Sequence, residues 1–392
     1  MEKTEQAEFY MRRAIALALL GKGKVNPNPM VGAVIVKDGK VIGEGYHHRY
    51  GQLHAERDAF ANLTEDAKGA EMYVTLEPCC HYGKQPPCTQ AIIEHGISKV
   101  YIGSNDPNEL VAGQGIQQLI DAGIEVVTGI LKEECDAVNS VFFHYITTKT
   151  PYVVMKYAQT LDGKIATYAG NSKWITGEKA REDVQRLRNW LKGIMVGVQT
   201  VIADNPMLNC RMEGGENPVR IICDSHLRIP TDCKIVETAR EIPTYIATLE
   251  SSTEDKFNKG DVRHDVLGQE KKNDNRKKKQ QLEEKGVQFL YCRENQGRID
   301  LKDLMNQLGE KKIDSILLEG GSTLNESALR QGIVNHICVY IAPKIFGGLV
   351  GYTPVGGKGI EFVEDAYLFE NLKITQIGED ILLEYDVAGS MT

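Results

Sequence analysis

The sequence predicts two consecutive α/β domains. Three observations carry this. The chain has 392 residues, more than one core usually serves. Apolar β-branched runs alternate with helical patterns along most of its length. The alternation restarts after a polar stretch, TTKTP at 147–151, which places a boundary between 1–147 and 148–392.

The first domain opens with AIALALL behind Arg12 and Arg13. The run is too short for a membrane span and lacks a cleavage site, so it predicts an amphipathic helix burying Ala14, Leu17 and Leu20. MVGAVIV (30–36) and KVIGEGY (40–46) flank Asp38-Gly39, a hairpin signal. HAERDAFANL (54–63) predicts a helix, EMYVTLE (71–77) a buried strand, and TQAIIEHG (89–96) a helix stopped by Gly96. KVYIG (99–103), GIQQLIDAG (115–123) and IEVVTG (124–129) continue a largely parallel sheet.

The second domain starts with the strand PYVVMKYA (151–158), followed by a long helix over 177–193. Further strands are expected at 194–198, 218–224, 243–248, 287–292, 315–321 and 336–348. Residues 250–286 are charged and poor in large apolar residues, and predict an exposed insertion, either loop or solvated helix.

Net charge is −8, from 46 Lys+Arg against 54 Asp+Glu, a poor balance for gripping nucleic acid phosphates. A small-molecule ligand is expected instead, with no nucleic acid and no membrane. The nine cysteines, odd in number and scattered, do not read as a disulfide framework and fit a reducing cytoplasm.

TLEPCCHYGKQPPC (75–88) and HAE (54–56) carry the first chemistry. A catalytic zinc takes three Cys or His ligands and keeps one position for water. His54, Cys79 and Cys88 supply that set at the edges of predicted helices. Glu56 can then move a proton from the activated water to a leaving amine. This is the logic of zinc deaminases, although their common pattern has two residues between the cysteines and here there are eight. Cys80 competes for a ligand post. Cys79 follows Pro78 as that pattern requires, so Cys80 is expected to be a bystander. The alternative is a closed structural zinc with Cys80 or His81 as fourth ligand, which leaves Glu56 without a role.

Taken with SNDPN (104–108) and VAGQG (111–115), these motifs resemble the deaminase half of the bifunctional deaminase/reductase family of riboflavin biosynthesis. In that family the eight-residue cysteine gap is usual. The resemblance implies a cytidine-deaminase-like three-layer domain with one Zn²⁺ per chain. Its substrate would be 2,5-diamino-6-(5-phosphoribosylamino)pyrimidin-4(3H)-one, a phosphorylated pyrimidine. It places Asn28, His47, His81, Lys84, Asp106 and Asn108 around that substrate.

The second domain has no G-x-G-x-x-G after a strand, so a Rossmann fingerprint is absent. LDGKIATYAGNSKWITG (161–177), TVIADNPMLNCR (200–211) and LLEGGSTLNESAL (317–329) together resemble the reductase half of the same family. The resemblance implies a dihydrofolate-reductase-like fold and reduction of the ribosyl to the ribityl group by NADPH. It places Ala158, Trp174, Thr200 and Asp204 on the cofactor. Gly321, Ser322, Thr323, Leu324, Asn325, Glu326 and Ser327 would lie under its phosphates, where a helix N-terminus suits an anion. Ser172, Arg188, Leu208, Arg211 and Glu319 would meet the substrate, with Arg188 and Arg211 as a guanidinium phosphate clamp. Lys156 is the candidate proton donor. The family further implies a homodimer or homotetramer.

Overall fold

The computed structural model describes residues 3–82, 86–108, 112–252, 266–348 and 351–388. The chain divides into two compact units, Met1–Lys149 and Thr150–Thr392. Both are α/β, as the sequence predicts.

In the first unit α1 (Lys3–Ala18) precedes the hairpin β1 (Gly32–Lys37) and β2 (Lys40–Tyr46). Then follow α2 (Ala55–Ala61), β3 (Glu71–Leu76), α3 (Cys88–Glu94), β4 (Lys99–Ser104), α4 (Gln114–Asp121) and β5 (Glu125–Thr128). The unit closes with α5 (Lys132–Val138) and α6 (Ser140–Thr148). The sheet order is β2-β1-β3-β4-β5. The two pairings of β1 are antiparallel, whereas β3, β4 and β5 run parallel. Asp38 and Gly39 both have positive φ, 48° and 75°, the backbone that a two-residue hairpin turn demands. α1 buries Ala7, Met11, Ala14 and Ala18 along one stripe. It lies so close to β1 that a Cβ on Gly32 would sit 2.0 Å from the Ala14 carbonyl oxygen. Leu20 does not join that stripe. Helix α1 ends at Ala18, and Leu20 falls in a short 3₁₀ turn, 56% exposed. Helix α6 was not anticipated; its polar residues mask an apolar side at 142, 145 and 146.

The second unit opens with β6 (Tyr152–Thr160), α7 (Glu178–Trp190), β7 (Gly193–Gly197) and α8 (Val198–Asp204). It continues with β8 (Val219–Cys223), α9 (Lys234–Glu237), β9 (Thr244–Leu249), α10 (Val266–Glu284) and β10 (Gln288–Cys292). A small ladder of β11 (Glu294–Asn295) and β12 (Arg298–Ile299) leads into α11 (Leu301–Glu310), β13 (Ser315–Leu318) and α12 (Ser322–Arg330). The last strands are β14 (His336–Ala342), β15 (Phe369–Ile377) and β16 (Asp380–Val387). Nine strands form one sheet in the order β10-β9-β8-β7-β13-β6-β14-β16-β15. It is parallel until β14, which pairs antiparallel with β16.

Three differences from expectation have physical causes. α7 stops at Trp190 because Gly193 already belongs to β7. The β15–β16 hairpin was not anticipated. Its outer strand is exposed on both faces, so it lacks the apolar alternation that marks a half-buried strand. The charged insertion is not wholly exposed. Within α10, Leu282 is fully buried and Lys278 Nζ donates to the Leu227 carbonyl at 2.9 Å, while residues 253–265 lie outside the described ones. Among the described residues no helix is long and apolar enough to cross a membrane.

Arg220, on β8, is fully buried and has no carboxylate partner among the described residues. Its guanidinium donates to the carbonyls of Met207, Ile235, Thr238 and Ile242 and to the hydroxyls of Thr238 and Thr244. Burial pulls its pKa down to about 10. It ties the loop after α8 to the sheet.

Candidate functional site

In the first unit His54 is the N-cap residue of α2 and Cys88 is the first residue of α3, while Cys79 follows β3. These three ends converge. His54 Nδ1 lies 3.5 Å from both Cys79 Sγ and Cys88 Sγ, and the Cys88 amide donates to Cys79 Sγ at 3.4 Å. All three ligand atoms lie within 4.8 Å of one another. The fit to a divalent cation can be judged from the thiols. Cys79 is pulled down to about 4, first by the Cys88 hydrogen bond and then by His54, while Cys88 is pushed well up by Cys79 and by burial. Two thiolates this close need added positive charge before both ionise. The donor set, two sulfurs and one imidazole with open space beside them, suits zinc with a free position. Cys80 is not part of the cluster, and burial raises its pKa.

Glu56 sits in the first turn of α2, 3% exposed. Burial first, and then the Cys79 charge, raise its pKa. It faces a cavity of about 350 Å³ together with His54 and Cys79. Asn28, His47, His81, Asp106 and Asn108 line the same cavity. Lys84 lies outside the described residues. His47 Nδ1 is 2.8 Å from the Leu53 carbonyl, to which it donates, so Nε2 accepts from Asn28 Nδ2 at 3.2 Å. That leaves the Asn28 carbonyl oxygen available to a ligand. Burial lowers the His47 pKa, which keeps this neutral tautomer. Burial also pushes Asp106 up, to about 6, although its carboxylate accepts the Asn108 amide at 2.8 Å.

Sequence reasoning missed two features here. Phe142, Tyr145 and Ile146 of α6 form an apolar wall of the cavity. Their i, i+3, i+4 spacing was the available signal. Glu77, 3% exposed, accepts amide hydrogens from Gly113, Gly115 and Ile116 at 3.1–3.3 Å. It fastens the start of α4 to the segment that carries Cys79.

The second unit holds a cavity of about 330 Å³. Lys156 and Ala158 of β6 line it, as do Ser172 and Trp174 from the following loop, Arg188 of α7, Thr200 and Asp204 of α8, Arg211, and Glu319 after β13. Of the segment 321–327, Gly321, Ser322 and Asn325 line the cavity. Leu324 and Ser327 are buried, Leu324 within the main core, because successive helical residues turn away by about 100°. Thr323 and Glu326 are not on the wall either, and Glu326 pairs with Arg330. Of the expected run, these three positions line the cavity. Leu208 is also buried, 3% exposed, and absent from the wall.

Arg188 already has partners in the fold. Its Nε and Nη2 bind both Glu319 oxygens, at 2.9 and 2.7 Å, and Nη1 donates to the Asn209 carbonyl. That edge of the fork is therefore engaged by a carboxylate rather than presented to a phosphate. Burial opposes ionisation of Glu319, but Arg188 outweighs it and holds the carboxyl down at about 2. Burial lowers the Lys156 pKa, and its ammonium lies 5.7 Å from the Tyr340 ring centre. The Tyr340 hydroxyl donates to Asp183 at 2.7 Å.

The wall also fits a dinucleotide. Asn325 Oδ1 is buried and has no hydrogen-bond partner, while its amide nitrogen donates to the Pro354 carbonyl. Gly321 caps α12 without a side-chain hydrogen bond, and a Cβ there would meet Thr200 Oγ1 at 3.4 Å. A helix start bared in this way receives phosphate through backbone N–H groups.

Comparison with known proteins agrees with both halves. Residues 4–104 match the cytidine and deoxycytidylate deaminase zinc-binding region, and residues 151–383 match the RibD C-terminal domain. The chain is 55% identical over 378 residues to the riboflavin biosynthesis protein RibD of Actinobacillus pleuropneumoniae, covering 96% of this chain and 94% of that one. Among solved structures it is similar to Acinetobacter baumannii RibD, with a TM-score of 0.82, 35% identity, and 98% and 100% of the two chains covered. It is also similar to a diaminohydroxyphosphoribosylaminopyrimidine deaminase/5-amino-6-(5-phosphoribosylamino)uracil reductase from Thermotoga maritima, with a TM-score of 0.81, 36% identity, and 98% and 99% coverage.

Proposed function

The chain belongs to the RibD family of bifunctional deaminase/reductases of riboflavin biosynthesis, and from that premise we propose which residues perform each half. The observation that carries the assignment is the His54–Cys79–Cys88 cluster beside buried Glu56. Bound there, zinc supplies a Lewis acid that makes water nucleophilic at neutral pH. His54, Cys79 and Cys88 hold it. Glu56 takes a proton from the water that adds to the ring carbon bearing the amine, and returns a proton to the departing ammonia. Its raised pKa suits both tasks. Asn28, held by His47, presents its carbonyl oxygen to the ring. His81, Asp106 and Asn108 close the pocket around the ribosyl phosphate.

In the second unit NADPH, when bound, supplies the hydride that reduces the sugar C1. Gly321, Ser322 and Asn325, with Thr200, Asp204, Ala158 and Trp174, hold the cofactor. Glu319, fixed by Arg188, and Ser172 and Arg211 orient the substrate. Lys156 delivers the proton to the ring oxygen as the ring opens; its ammonium makes no hydrogen bond or ion pair with the described residues, and its lowered pKa eases the release. Mostly the protein holds two carbons in line. The same reading takes Zn²⁺ and NADPH as the two cofactors, a phosphorylated pyrimidine as the ligand, a homodimer or homotetramer as the assembly and the cytoplasm as the compartment.

The test is a coupled assay on zinc-loaded protein with the diaminopyrimidinone ribosylamine phosphate, following ammonia and NADPH together. Ammonia release preceding NADPH loss is expected. Ammonia without NADPH loss would overturn the reductase half. NADPH loss without ammonia would overturn the deaminase half.

A further inference from the structure

Resting on the reductase reading above, we infer that Arg181 reads a phosphomonoester of a ligand in the second cavity, the part that sequence reasoning gave to Arg188. Arg181 and Arg188 stand seven residues apart on α7, so both face the same wall, about 10 Å apart along the axis. Val184 and Gln185 complete that wall between them. The two guanidinium groups differ in what they already hold. Arg188 is closed by Glu319 and the Asn209 carbonyl. Arg181 donates from Nη1 to the Thr176 carbonyl at 2.8 Å and lies over the Trp174 ring, 4.8 Å from its centre. Among the described residues no carboxylate pairs with it.

The arrangement is that of a receptor rather than a structural tie. The carbonyl bond and the indole stack fix the guanidinium plane while leaving Nε and Nη2 unengaged. Two nearby carboxylates are occupied elsewhere. Asp183 takes Arg186 and Tyr340, and Glu319 takes Arg188. The next cation on the wall, Arg211, makes no side-chain hydrogen bond or ion pair with the described residues, although the Glu319 charge acts on it, and its backbone amide donates to Gln185. Arg181 and Arg211 thus line this wall together with Gln185, and neither makes an ion pair with the described residues. A planar fork held in a partly dry cavity selects a phosphate by paired hydrogen bonds. Both ligands of the reductase reading carry a phosphomonoester, the 5′-phosphate of the substrate and the 2′-phosphate of NADPH.

The experiment uses the full chain and the deaminated intermediate, comparing wild type, Arg181→Gln and Arg181→Lys. KM and kcat are measured with NADPH and with NADH, and with the intermediate and its form lacking the 5′-phosphate. A thermal melt of each variant checks folding. Loss of one charge-assisted pair predicts a KM rise of roughly 10- to 100-fold for the phosphorylated member of one pair, little change for its unphosphorylated counterpart, and partial recovery in Arg181→Lys. A rise confined to the intermediate assigns the substrate phosphate, and one confined to NADPH assigns the 2′-phosphate. Equal effects on phosphorylated and unphosphorylated members, or no effect, overturn the inference. Absence of NADPH-dependent reduction in the wild type would instead sink the reductase reading, so the two failures are distinguishable.

Discussion

The two cavities are similar in size and opposite in electrostatic design. The first is built from soft donors and buried carboxyls: two thiols, an imidazole, Glu56 and Asp106, raised or lowered by one another and by burial. The second is built from hard ionic groups, with Arg188, Lys156 and Arg211 gathered around Glu319. Among the described residues the first has no Lys or Arg on its wall, and it fits a cation. The second has more guanidinium and ammonium groups than carboxylates to pair with them, and fits anions. A chemistry that makes its own nucleophile needs the former. A chemistry whose reactive hydrogen arrives on a phosphorylated carrier needs the latter.

The largest expected effect tests whether the two sites are separable. Glu56→Gln should lower deamination by roughly two to four powers of ten, the usual scale for loss of general acid–base help. Zinc content should not change, since Glu56 is outside the ligand set. Reduction of the supplied deaminated intermediate should proceed at the wild-type rate. Loss of both activities from that one change would break the comparison.

Next comes the pair that organises the second cavity. The Glu319 carboxyl, ordinarily near 4.5, is held at about 2 in the folded protein. A depressed carboxyl stabilises the fold above its unfolded pKa, and that stability is lost as pH falls from about 4.5 towards 2. The shift corresponds to roughly 3 kcal/mol. Glu319→Gln also leaves Arg188 buried without its countercharge, a costly state. The variant should therefore unfold more easily at neutral pH, and its gap from wild type should narrow across that acid window. Chemical unfolding of both proteins at several pH values measures this. A gap that stays constant with pH would remove the ion pair as its source.

How much of this was legible in the sequence follows from what each feature depends on. His54, Glu56, Cys79 and Cys88 were legible because their chemistry is rare and their spacing constrains it. The strands were legible because burial on a sheet imposes apolar runs, as in β3 and β13. That the Leu208 and Leu324 side chains are buried was not legible, because motif membership says nothing of which way a side chain turns. The Arg188–Glu319 pair was not legible because Glu319 lies 131 residues away, and only the fold brings them to 2.7 Å. Arg181 went unnoticed for the same reason: its freedom is visible only once its neighbours are seen to be engaged. The same holds for Glu77, whose amide partners lie 29 to 39 residues on.

Glu77 gives a smaller effect confined to the first unit. Glu77→Gln keeps one acceptor oxygen and replaces the other by a donor facing amide hydrogens. A cost of about 1–3 kcal/mol is expected. Because Gly113 and Gly115 follow the loop carrying Asp106 and Asn108, the KM for deamination should rise more than kcat falls. Steady-state kinetics on both reactions would show it, and an equal change in the reduction step would contradict a local role.

The smallest expected effect sharpens the choice among three cysteines. Cys80→Ser should change neither zinc stoichiometry nor deamination, and stability by no more than about 0.5 kcal/mol, because its sulfur lies outside the cluster and its residue is only partly buried. Cys79→Ser and Cys88→Ser replace a thiolate by a hydroxyl that binds zinc weakly, and each should lose most of the metal at neutral pH. Metal analysis of the three purified variants distinguishes the cases. Equal zinc loss in all three would mean that Cys80 closes the coordination sphere. The free position that a catalytic water needs would then be gone, and the cluster would be a structural site with Glu56 as a bystander.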